Sequence, residues 1–163
     1  MGKIDYRLIF GILISVLLSF ITVYFFNMTR LMELILENWE YNIFKALSYV
    51  LTANFSLDPQ SIFTGSETPL GFFVPHVVMW LFLGYVCGTI AKGAKRALMA
   101  TAIVIIIDIL LWILLSVTSG VDLMSLFIEN QLIQTIGAIV IALFGGLFGG
   151  LIGGLISGPY EHV

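Results

Sequence analysis

Residues Leu143–Gly154 read LFGGLFGGLIGG, three glycine pairs recurring every four residues in an otherwise apolar run. In a helix exposed to water each glycine costs about 1 kcal/mol relative to alanine, so six in one helix need a physical reason. A lipid environment supplies one. Without water to compete for backbone groups the helix persists. Acyl chains are as apolar as leucine, so contact is gained there by letting two backbones approach closely. Gly145, Gly146, Gly149, Gly150, Gly153 and Gly154 keep a smooth ridge on one face for several turns, continuing Gly137, Ala138 and Ala142. Gly84 and Gly88, in GYVCGTI at 84–90, are the intrachain candidates to cover it. Paired glycines form a broad surface, and the expectation is that another copy or another membrane protein also docks on this last helix. Pro159, after Gly158, stops it.

Composition agrees with that environment. The 163 residues are 60% hydrophobic and 10% charged, with a net charge of −3, whereas a soluble domain carries about 25% charged residues. The chain therefore reads as one all-α integral membrane domain, residues 1–163. No basic run points to nucleic acid. The single cysteine, Cys87, excludes an intrachain disulfide and a multi-cysteine zinc site. The first apolar run, Arg7–Phe26, exceeds a signal-peptide core of roughly 7–15 residues, and FFNMTR after it lacks a small-residue cleavage site. It reads as an uncleaved span.

Four segments are long enough to cross a bilayer: Arg7–Asn27, Gly71–Ala91, Ala97–Thr118 and Ile136–Ser157. Lys92, Lys95 and Arg96 sit between the second and third, with no acid. Asp58, Glu67, Asp122 and Glu129 occupy the opposite loops, with no base. The positive-inside rule then makes this a multi-pass cell-membrane protein with both termini cytoplasmic, as Lys3 and Arg7 also require.

Between the first two spans, residues 31–53 read as an extracytoplasmic amphipathic helix. Glu33, Glu37, Glu40, Lys45, Ser48 and Thr52 fall on one face; Leu34, Leu36, Ile43, Leu47 and Val50 fall on the other. An interfacial or re-entrant placement suits both faces. A fifth span would reverse the N-terminus and carry charge into hydrocarbon, which only a pore would justify. Residues 54–70, NFSLDPQSIFTGSETPL, read as an external loop. The triplets Asn27-Met28-Thr29 and Asn54-Phe55-Ser56 fit the glycosylation pattern, and chance explains both better than modification.

LMELILEN at 31–38 and LMSLFIEN at 123–130 match in register, and Gly71, Gly84, Gly88 and Ile90 align with Gly137, Gly150, Gly154 and Ile156. The pattern points to a parallel duplication with units 1–96 and 97–163, as in parallel-repeat transporters. Coincidence in a chain rich in Leu, Ile and Gly is the competing explanation.

Asp108, in VIIIDILLW, lies near the middle of the third span. An acid there costs at least about 2.5–3.5 kcal/mol on insertion scales and marks a functional candidate. No span offers an interior base, so Asp108 is expected to be protonated, to share a cation or to bond another polar side chain. His76, after Pro75 in FFVPHVVMW, lies at a similar depth and is the expected partner. An Asp108–His76 pair would serve a proton or cation path, or simply join two spans. His76, Met79 and Cys87 form too thin a ligand set for copper or zinc. No metal, cofactor or catalytic constellation is expected, and the glycine run lacks the GK[ST] ending of a phosphate loop. Two functions remain: a non-catalytic structural or accessory subunit packing through its glycine-rich last helix, which is the preferred reading, or a small homo-oligomeric transporter or channel using Asp108 and His76.

Overall fold

The computed structural model describes residues 6–22, 32–55, 69–120 and 129–159. Among these residues the chain is all helical: α1 (Tyr6–Ser19), α2 (Met32–Trp39), α3 (Ile43–Asn54), α4 (Pro69–Ala91), α5 (Ala94–Thr118) and α6 (Glu129–Ile156). Two helical stretches are long and apolar enough to cross a membrane, Ala94–Thr118 and Gln134–Ile156.

Helix α1 runs antiparallel to α4. A Cβ placed on Gly11 would lie 3.2 Å from the Cys87 carbonyl oxygen, and Ser15 Oγ donates to the Leu83 carbonyl at 3.4 Å. Helix α1 ends seven residues before Phe26, the last of the expected apolar run, and residues 23–30 lie outside the described part. Its last turn is closed by hydroxyls: Ser19 Oγ lies 2.8 Å from Val16 O, and Thr22 Oγ1 donates to Ser19 O. Lys92 and Gly93 reverse the chain between α4 and α5 with left-handed φ of 54° and 81°. Glycine takes that conformation without a Cβ penalty, and the Gly93 amide also donates to Gly154 O at 3.2 Å.

The largest surprise is at 31–53, expected as one amphipathic helix. It breaks into α2 and α3 at Glu40–Asn42. Asn42 is extended (φ −152°, ψ 93°) and its side chain accepts from the Lys45 amide at 3.1 Å. That N-cap satisfies an orphan donor of the new helix and fixes the break. The supposed polar stripe therefore divides. Glu37 and Glu40 are exposed, Lys45 is half-buried, and the Glu33 side chain lies outside the described part. Ser48 and Thr52 instead turn inward, while Leu36 and Ile43 of the expected apolar face are exposed.

The core is built where α3 meets the long helices. Phe55 lies between Trp80 and Trp112, with ring centroids 5.3 and 5.4 Å away. Leu51, Met79, Leu83, Ile105 and Ala142 complete the cluster. Asn54 and Phe55, expected to open an external loop, are thus buried in the core. Pro69 and Leu70 at its other end already belong to α4, and 56–68 lie outside the described residues, as does most of the second copy of the repeated octapeptide, 123–128.

Candidate functional site around Asp108

The glycine ridge is a lattice of internal contacts. Gly145, Gly149 and Gly153 face α4: added Cβ atoms would meet Trp80 and Val77, the Leu81 carbonyl and the Tyr85 carbonyl in turn. Gly146, Gly150 and Gly154 face α5, against Ile105, Thr101 and Ala97. This second line also receives Gly84 and Gly88 of α4, which sit against the backbone of Gly146, Gly150 and Gly154. The aligned pairs Gly84 with Gly150, and Gly88 with Gly154, are therefore neighbours across α4 and α6. All six ridge glycines are buried. Paired glycines thus serve two neighbours, α4 and α5, and both belong to the same chain. The outward face of α6 carries Phe144 and Phe148 instead, 76% and 59% exposed.

Tight packing of α6 against α4 and α5 leaves the other inward face of α5 for α1 and α3. Along that face lie Asp108, Trp112 and Ser116, all buried. Helix α3 descends beside it in the opposite direction. Ser48 Oγ and Ser116 Oγ are 2.8 Å apart. One turn deeper, Trp112 Nε1 donates to Thr52 Oγ1 at 2.9 Å, and Thr52 in turn donates to Ser48 O. At the end of α3 the Asn54 amide nitrogen donates to Ser19 O at 2.9 Å, and Thr22 Oγ1 lies 3.3 Å from Asn54 Oδ1.

Asp108 is fully buried at this level, and its Oδ1 accepts from Ser19 Oγ at 3.1 Å. Its Oδ2 is buried with no hydrogen-bond partner. Asp108 lies ten residues before the end of α5, roughly 15 Å at the helical rise of about 1.5 Å per residue. Helix α3 therefore stops about midway along α5 instead of crossing the whole bundle.

A helix end leaves carbonyls without partners, and buried ones must find donors. Those of α3 find them on α4, one turn apart. His76 Nε2 lies 3.2 Å from Ala53 O, and Trp80 Nε1 donates to Asn54 O at 3.3 Å. A carbonyl only accepts, so His76 carries its proton on Nε2 in this contact. The expected Asp108–His76 pair is not formed. His76 holds the end of α3, Ser19 holds Asp108, and Asn54 joins the two.

Ser19, Thr22 and Asn54 were not anticipated as members of this site. Their signal is present in the sequence: Ser15, Ser19 and Thr22 fall at i, i+4 and i+7 in an apolar run, and Thr101, Asp108, Trp112 and Ser116 share one face in the same way. Among the described residues, no group of three His, Cys, Asp or Glu side chains is placed to hold a metal ion. In comparisons with family models, with curated proteins and with solved structures, the chain finds no match in any of the three.

Proposed function

We propose that this chain is an integral membrane protein that binds and passes a proton or small cation at Asp108. The observation that carries the reading is a carboxyl group buried inside the bundle, on a helix of membrane-spanning length, with one oxygen lacking any hydrogen-bond partner. Uncompensated acids at such a depth are costly and mark ion or proton pathways.

The distribution of polarity supports insertion of the bundle by four helices, α1, α4, α5 and α6. Its exterior carries Phe10, Leu13 and Leu17 of α1, Ile106, Leu110 and Leu114 of α5, and Phe144 and Phe148 of α6. Its interior carries Ser15, Ser19, Ser48, Asn54, Thr101, Asp108 and Ser116. Apolar outside and hydroxyl-rich inside suits a lipid solvent and fits poorly with water, where a contiguous apolar patch of this extent is rare. In this orientation Lys92, Lys95 and Arg96 lie on the cytoplasmic side, and α3 is a re-entrant helix. Helices interrupted at mid-depth recur at ion sites because their ends present backbone dipoles to a bound charge.

The accessory-subunit reading rested on a glycine face awaiting another chain. With both glycine lines occupied by α4 and α5, a partner at the last helix would have to dock on Phe144 and Phe148, which lipid satisfies equally well. Transport is therefore the stronger reading.

The test is reconstitution of the purified protein into liposomes, with ion movement followed under an imposed potential. Flux by the native chain and its loss in Asp108→Asn, with unchanged elution and helical content, is the expected result. Equal flux in both proteins, or none in either, would overturn the reading.

A further inference from the structure

Resting on that reading, and narrowing it, we infer that the species bound at Asp108 is a proton, and that it moves toward the Lys92 end through the hydroxyls of Ser19, Ser15 and Thr101.

The choice of proton follows from which oxygens are already tied into hydrogen bonds. A hard metal cation needs about six oxygen ligands. Among the described residues, the oxygens around Asp108 are tied into hydrogen bonds with one another. Ser19 O accepts from both Thr22 and Asn54, and Asn54 turns its NH2 group, a donor, toward that carbonyl. Ser19 Oγ is engaged with Asp108 Oδ1 and Val16 O. Among the described residues at this level, one oxygen makes no hydrogen bond, Asp108 Oδ2. A single open valence accepts a proton, which neutralises the carboxyl and leaves the Ser19 bond in place.

The direction follows from a second orphan. Thr101 is 1% exposed, and its Oγ1 makes no hydrogen bond of standard geometry. It lies seven residues before Asp108 on the same face of α5, roughly 10 Å away at about 1.5 Å per residue. On α1, Ser15 is one turn from Ser19, and Cys87 of α4 is buried in one cluster with Ala100 and Val104, which flank Thr101 on α5. Gly150 makes room for this arrangement, since a Cβ there would strike Thr101 Oγ1. Ser19, Ser15, Cys87 and Thr101 thus step from the carboxyl toward the Lys92 end through groups that both donate and accept.

The other titratable group packed near this level is His76, and it faces Ala53 O on the far side of α3. Only O–H bonds, and the S–H bond of Cys87, are made and broken. A proton enters from solvent at one end, resides on Oδ2, and leaves to solvent at the other, with the chain unchanged.

The experiment uses the full-length protein in phosphatidylcholine–phosphatidylglycerol vesicles loaded with a pH-sensitive dye, under a potassium diffusion potential. Internal acidification is expected, and it should persist when external sodium is replaced by choline. Thr101→Val and Ser15→Ala should each slow it at least tenfold, and Thr101→Ser should retain it. Unchanged rates in both Ser15→Ala and Thr101→Val would overturn the route. Asp108-dependent sodium or potassium entry without acidification would overturn the proton while leaving the broader reading intact. If Thr101→Val fails to fold, as judged by its melting curve, Ser15→Ala and Cys87→Ala decide the route alone. Absence of any Asp108-dependent flux removes both.

Discussion

The side-chain amide of Asn54 donates to the backbone carbonyl of Ser19 at 2.9 Å, and the hydroxyl of the same serine donates to Asp108. Through that one residue the end of a short helix is fastened to the acid at the centre of the bundle. The relationship explains why α3 lies inside the protein when its sequence suggests a surface helix.

Truncating the fastening should release α3. Asn54→Leu removes the donor to Ser19 and leaves that carbonyl with Thr22 alone. Loss of a buried hydrogen-bonding side chain costs about 1–3 kcal/mol, so a lowered melting temperature in detergent is expected. Hydrogen exchange at Val50 to Phe55 should rise before that of α5 and α6. Uniform exchange across all helices would contradict the description of α3 as a separately docked element.

Trp112→Phe makes a finer cut. The ring that stacks on Phe55 is largely kept, while the donor to Thr52 Oγ1 is lost. Net hydrogen bonds of this kind are worth about 0.5–1.5 kcal/mol. The variant should be less stable by that amount, and Thr52→Val in the same background should add little, because both changes remove one bond. A double-mutant cycle on thermal or denaturant unfolding checks the coupling.

At the glycine ridge the expected effect is larger. Gly149→Leu drives a side chain onto the Leu81 carbonyl, and Gly84→Ala drives a methyl onto the Gly146 carbonyl. Neither obstacle is a flexible side-chain end, so the helices must separate. Overpacking of a tight core typically costs about 1–3 kcal/mol, and Gly149→Leu should reach or exceed the top of that range. Phe148→Leu on the outward face should stay within about 0.5 kcal/mol. If Gly149→Leu altered oligomeric state but not melting temperature, the ridge would be an intermolecular surface after all.

The break between α2 and α3 is a test of local chemistry. Asn42→Ala removes the side-chain acceptor for the Lys45 amide, and loss of such a cap costs about 0.5–2 kcal/mol. Faster exchange of the Lys45 amide, with Asn42→Asp and Asn42→Ser close to native, is the expected pattern. Alanine leaving that amide fully protected would mean the cap contributes nothing.

Much of this fold was legible beforehand because the relevant physics is local. Apolar length alone located α4, α5 and most of α6, and the recurrence of glycine every four residues announced that α6 packs by its backbone. Asp108 stood out because a lone acid in an apolar run has no local explanation. Asn42 was equally local but was read through, since a stripe counted at 3.6 residues per turn assumes an unbroken helix. Once the break is admitted, the same residues no longer share a face.

What only the tertiary structure decided is who meets whom. Periodicity says that Gly145 and Gly146 are small and adjacent. It cannot say that one line faces α4 and the other α5, which depends on the paths of three helices. Nor can depth along separate helices pair side chains. His76 and Asp108 are level with one another, yet the intervening end of α3 supplies an unpaired carbonyl to the first, and α1 supplies a hydroxyl to the second. Buried polar groups take the nearest partner of the right sign, and nearness between helices is a property of the assembled bundle.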